Sequence, residues 1–105
     1  MIRVNYLQGD DSHALSVTGH AGYDDSGRDI VCAGVSSITC ALMNYLTNRV
    51  LDDVEEVHAG SGEATIVCRR SDLADAAFDL AMFGYLQSSH EYPRNVEVYI
   101  SAQGR

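Results

Sequence analysis

The chain has 105 residues, 46% of them apolar, with 15 acidic against seven basic side chains and a formal net charge of −8. That composition suits one folded domain over 1–105 with a modest core and argues against a disordered chain. It also argues against nucleic acid as a direct partner, because phosphate binding needs clustered Lys and Arg; a basic peptide or protein fits the charge better, although acidity serves solubility too. No run approaches the ~20 consecutive apolar residues of a membrane span. The opening Met1-Ile2-Arg3-Val4-Asn5 has neither the apolar region nor the small-residue cleavage site of a signal peptide, so the expected location is the cytoplasm.

Ile2, Val4 and Tyr6 alternate with Arg3 and Asn5, a period of two that predicts a half-buried strand over 2–7. Gln8-Gly9-Asp10-Asp11-Ser12 is turn chemistry, and alternation resumes from His13 to Thr18 through Leu15 and Val17, giving a β-hairpin. Gly19 ends the second strand and His20 sits just past it. A polar, glycine-bearing segment follows: Ala21-Gly22-Tyr23-Asp24-Asp25-Ser26-Gly27-Arg28.

From Ile30 the period lengthens. Val31, Val35, Ile38, Leu42, Tyr45 or Leu46, and Arg49 or Val50 step by three and four, predicting an amphipathic helix over roughly 30–50. Asp29 is placed to cap it, which makes Cys32 the third helical residue. Val54–His58 and Glu63–Arg69 read as strands around Ala59-Gly60-Ser61-Gly62. Ser71-Asp72 starts a second helix, with Leu73, Ala76, Ala77, Leu80 and Phe83 as its expected buried face and an end near Ser88-Ser89. Pro93 breaks the chain, and Val96, Val98 and Ile100 alternate in a last strand. The order β-β-α-β-β-α-β predicts an α+β two-layer sandwich, a mostly antiparallel sheet covered by two helices.

Three cysteines, Cys32, Cys40 and Cys68, stand without any Cys-x-x-Cys spacing, so neither a zinc knuckle nor a dithiol redox motif is suggested. Cys40 and Cys68 read as small apolar residues turned inward. Cys32 stands apart. A thiolate is the reactive form of cysteine, and both a helix start and an imidazole that accepts the proton favour it. His20 is the histidine with the positional case; His13, His58 and His90 lie beside turns and are expected in solvent. Asp29 reads either as the third member of a triad or only as the helix cap. Ser36, one turn after Cys32, reads as a polar surface residue or as a hydroxyl reaching the same site. Backbone N–H groups at the helix start are the natural donors to an oxyanion. A metal held by His20, Cys32 and Asp24 or Asp25 would match no standard zinc spacing, so no metal or cofactor is expected.

The run Gly19-His20-Ala21-Gly22-Tyr23, then Gly27, Asp29-Ile30-Val31-Cys32-Ala33 and Val35-Ser36, closely resembles the ribosomal-processing cysteine proteases of the Prp family. Phe83-Gly84-Tyr85-Leu86, Glu91-Tyr92-Pro93 and Asn95-Val96 resemble that family's second helix and last strand, and Gly34 is a small departure from a more usual Ala. The resemblance implies a homodimeric endopeptidase that removes the N-terminal extension of large-subunit ribosomal protein twenty-seven. It makes Cys32 the nucleophile and His20 the general base, with Asp29 and Ser36 supporting. The loop 21–28, with Gly22, Tyr23, Asp24, Asp25 and Gly27, would be a lid that orders on the substrate peptide. A different class of reading is a non-catalytic, acidic dimeric adaptor that holds a basic ribosomal segment without cutting it.

Overall fold

Period-two alternation at the N-terminus becomes a pleated strand in the computed structural model, which describes residues 1–102; the last three positions of the expected domain 1–105 lie outside the described residues. Ile2, Val4 and Tyr6 point into the core from β1 (Ile2–Gln8), while Arg3, Asn5 and Leu7 face out. The remaining elements are β2 (Ser12–Thr18), α1 (Ile30–Arg49), a 3-10 turn at Leu51–Asp53, β3 (Val54–Gly60), β4 (Glu63–Arg69), α2 (Asp72–Glu91) and β5 (Val96–Ala102). The predicted order β-β-α-β-β-α-β and the α+β class are those observed.

The five strands form one sheet in the order β3-β4-β2-β1-β5. Consecutive hairpins make β1/β2 and β3/β4 antiparallel, β2 and β4 join antiparallel through Leu15↔Ile66, and β5 alone runs parallel, beside β1 with Val4↔Val98. Against one face of this sheet lie the two helices. α1 turns Val31, Val35, Thr39, Leu42, Met43 and Leu46 inward, and α2 turns Ala74, Phe78, Ala81, Met82 and Tyr85 inward. Fully burying side chains of this size is worth about 1.5–3 kcal/mol each. Between the helices the Thr39 and Tyr85 hydroxyls, both buried, share a hydrogen bond of 2.7 Å. By length and composition α1 is apolar enough to cross a bilayer, contrary to the sequence expectation, but its apolar stripe is the one that packs in this core.

Three further sequence expectations are corrected. Of the expected buried face of α2, Leu73 and Ala77 are partly buried against the core, but Ala76 is exposed and Leu80 and Phe83 are 75% and 68% exposed. This helix carries apolar residues on two faces, and periodicity cannot say which one meets the sheet. Cys40 is exposed rather than inward, because it lies about 100° around α1 from Thr39. His13 is 1% exposed rather than solvated, since its register two residues before Leu15 places it on the inner face of β2. There its ring stacks on Phe78 at 4.4 Å, one nitrogen meets the Tyr6 hydroxyl at 2.6 Å, and the other meets Asp75 at 2.6 Å. Asp75 is in turn held by both arms of Arg70 at 3.2 and 3.0 Å. Cys68, by contrast, is buried as expected, and burial pushes its thiol up and keeps it protonated.

Candidate active site

Capping chemistry builds the site. Asp29 is in an extended conformation just before α1, and its Oδ1 accepts the Cys32 backbone N–H at 2.9 Å. Oδ2 accepts the N–H of Tyr23 at 3.0 Å and, more weakly, that of Asp24 at 3.4 Å. One carboxylate thus caps the helix and ties down the start of the preceding loop. Burial works against its ionisation, but the N–H groups of Cys32, Tyr23, Asp24 and Val31 hold the carboxyl below the usual carboxylate range. Among the described residues its bonds go to backbone and none goes to His20, so the geometry is that of a cap.

The Cys32 thiol, half-buried in the first turn of α1, opens on a cavity of about 580 Å³. His20, Gly22, Asp24, Ser26, Gly27, Asp29, Ala33 and Ser36 line the same cavity. Residues twelve apart in sequence share this cavity because β2 delivers His20 to the sheet end where α1 begins. Gly22 and Gly27, at φ +68° and +88°, let the loop double back to close the gap.

Two residues assigned to this loop lie off the cavity. Tyr23 packs edge-on against Tyr92 with ring centres 5.4 Å apart, and the Asp25 carbonyl accepts the Arg28 N–H at 2.9 Å to close the turn. The expected oxyanion donors are also occupied: the Cys32 N–H bonds the Asp29 side chain, and the Ala33 N–H bonds the Asp29 carbonyl at 3.0 Å. Among the described residues no group of three His, Cys, Asp or Glu side chains converges to hold a metal ion.

Sequence reasoning singled out neither Ser26 nor Ala33 of the cavity wall for a role of its own, nor two residues that hold the His20 segment. The Gly62 carbonyl accepts the Gly19 N–H at 2.8 Å, and the Asn95 side-chain amide donates to the Ala21 carbonyl at 2.9 Å. Both contacts cross from distant parts of the chain, so no local pattern announces them.

A family model described as cysteine protease Prp matches residues 1–97. Among solved structures, the chain is similar to an essential ribosomal processing protease Prp from S. aureus in complex with a covalently linked product peptide. There the TM-score is 0.82 at 21% identity, covering 95% of this chain and 99% of that one. The same protease with a substrate peptide gives 0.73 at 22% identity over 95% and 99%. SMU.848 from Streptococcus mutans gives 0.72 at 25% identity over 98% and 96%. A comparison with curated proteins finds no match.

Proposed function

Because the chain belongs to the cysteine protease Prp family and is a cysteine protease, we propose that it is an endopeptidase acting through a Cys32–His20 dyad. Its substrate in this reading is the N-terminal extension of large-subunit ribosomal protein twenty-seven. The observation that carries the dyad is that His20 and Cys32 line one open cavity at the start of α1. The ribosomal substrate rests on the family resemblance and on the S. aureus neighbour, described as a ribosomal processing protease. A net charge of −8 complements a basic ribosomal protein. A cytoplasmic location goes with such a substrate.

In this mechanism the peptide lies extended in the cavity. His20 takes the Cys32 proton, and the thiolate attacks the scissile carbonyl carbon, pushing its π electrons onto oxygen. The tetrahedral intermediate collapses with cleavage of the C–N bond as His20 protonates the leaving amine, giving a thioester. Water, deprotonated by His20, then attacks the thioester, and the acid product leaves as Cys32 recovers its proton. With the Cys32 and Ala33 amides engaged, the oxyanion falls to other cavity groups, and the Ser36 hydroxyl, one turn along α1, is the nearest in sequence to the nucleophile. The loop 21–28, exposed apart from Ala21 and hinged by Gly22 and Gly27, acts as the lid.

The protein also works as a homodimer in this reading. Exposed Phe83, Leu86 and Ile100 line one groove between α2 and β5, and Leu80 is exposed one turn before Phe83, an apolar surface that a second subunit would cover.

The test is a cleavage assay with mass-spectrometric readout on the same organism's ribosomal protein twenty-seven. One cut near the N-terminus, lost in Cys32→Ala and in His20→Ala, is the expected result. Retained cleavage by Cys32→Ala would overturn the nucleophile, and binding without cutting by the unaltered protein would favour the adaptor reading.

A further inference from the structure

We infer that Gly62 and Asn95 are positioning residues that fix the imidazole of His20; the inference rests on the base role proposed for His20. His20 follows the end of β2 and is itself exposed, so no core packing orients its ring. What surrounds it is backbone. Gly62, in the two-residue turn between β3 and β4, has φ +71°, and a Cβ there would sit 2.8 Å from His20 Nε2 and 3.2 Å from Cε1. The glycine is therefore the wall behind the ring: it accepts the Gly19 N–H on one side of His20 and leaves the imidazole edge lying over its bare Cα.

Asn95 holds the other side. Its Nδ2 donates to the carbonyl of Ala21, the residue after His20, at 2.9 Å. Asn95 is itself anchored: its N–H bonds the Tyr92 carbonyl at 2.9 Å, and its carbonyl accepts the Ile2 N–H at 2.8 Å, where β1 begins. Ala21 is 2% exposed, so a released carbonyl would not simply turn to water. Gly19, His20 and Ala21 are thus clamped at both ends by the β3–β4 turn and by the turn before β5. Neither clamp shares a local sequence motif with His20.

The measurement is the rate of Cys32 alkylation by iodoacetamide from pH 5 to 9, in a Cys40→Ala background that removes the exposed competing thiol. His20→Ala should slow alkylation near pH 6.5 by about tenfold or more, because the imidazole no longer takes the proton. Gly62→Ala, Asn95→Ala and the isosteric Asn95→Asp, which cannot donate to a carbonyl, should slow it by about fivefold at that pH. They should leave the rate near pH 9 unchanged, because free thiols in general need no base to ionise there. Adding Asn95→Ala to His20→Ala should change nothing further, the mark of a residue that acts through another. Buried Cys68 reports the fold and should stay unlabelled throughout. Normal alkylation in the Gly62 and Asn95 variants beside a slow His20→Ala would overturn the positioning roles and leave the dyad standing. Normal alkylation in His20→Ala would overturn the dyad itself, and the positioning roles with it. Labelling of Cys68 in the variants would assign these residues to fold stability instead.

Discussion

Asp29 shows how one side chain can serve stability and site geometry together. Its carboxylate holds the first turn of α1 and the start of the loop 21–28 at once. Asp29→Ala should cost about 1 kcal/mol of stability, the usual worth of an N-cap, and about 5 °C in Tm by thermal melting. The pH dependence has a definite sign. The folded-state carboxyl lies below its ordinary value of 3.8, so its contribution is complete above that pH and is lost as pH falls through the depressed folded value. The gap in Tm between the native chain and Asp29→Ala should therefore hold at neutral pH and close in strong acid. Ser36 has a different signature. If its hydroxyl receives the oxyanion, Ser36→Ala should lower kcat by about 100-fold with little change in KM, which steady-state kinetics on the cleavable peptide would read. At this scale the sequence was informative wherever chemistry is local. Asp29 and Cys32 are three residues apart and declare a capped helix start, whereas Gly62 and Asn95 reach the His20 segment only through the folded sheet.

α2 is the element that sequence periodicity misassigned. Apolar residues occur on it at both the Ala74, Phe78, Ala81, Tyr85 spacing and the Leu80, Phe83 spacing, and either set satisfies a helical period. The sheet chose the first set because Phe78 stacks with His13 and Tyr6 and Tyr85 bonds Thr39 of α1. Those partnerships are tertiary and leave no trace in α2 itself. The second set remains outside, and its Phe83 shares a groove with Leu86 and Ile100. Under the proposed homodimer, with this face as its contact, Phe83→Glu should yield a folded monomer, with little change in far-UV circular dichroism and a halved mass by sedimentation equilibrium. An unchanged mass would move the dimer contact elsewhere. His13 was misplaced for a related reason. A titratable residue beside a turn usually faces water, but strand register put this one inside, where the hydroxyl of Tyr6 and the carboxylate of Asp75 satisfy both ring nitrogens.

Across the whole molecule the charge is one-sided, 15 acidic residues against seven basic, and two of the acidic side chains, Asp24 and Asp29, line the cavity itself. A basic substrate should be drawn in by this field and released from it by salt. Raising ionic strength from about 0.05 to 0.5 M should lower kcat/KM on a basic peptide several-fold through slower association, with kcat nearly constant, because screening acts beyond a few ångströms and not on the bond being broken. A neutral peptide of the same cleavage sequence should show no such slope. The architecture was open to sequence reading because four alternating segments, a weaker strand before the glycine-rich turn and two helical segments fall in an order with few two-layer solutions. Strand neighbours were not, since the pairing of β2 with β4 and of β1 with β5 depends on how the helices fold back across the sheet.

That last pairing bears on how the enzyme is born. β1 and β5 meet with Ile2 beside Val96, so one flank of the first strand stays empty until a segment far along the chain has folded back against it. The residue that secures the Ala21 carbonyl, Asn95, arrives with the same late segment. Such long-range closure is slow compared with hairpin or helix formation. In the proposed reading, the segment that carries His20 is fully clamped only once β5 has docked, so folding of the last strand is coupled to assembly of the site.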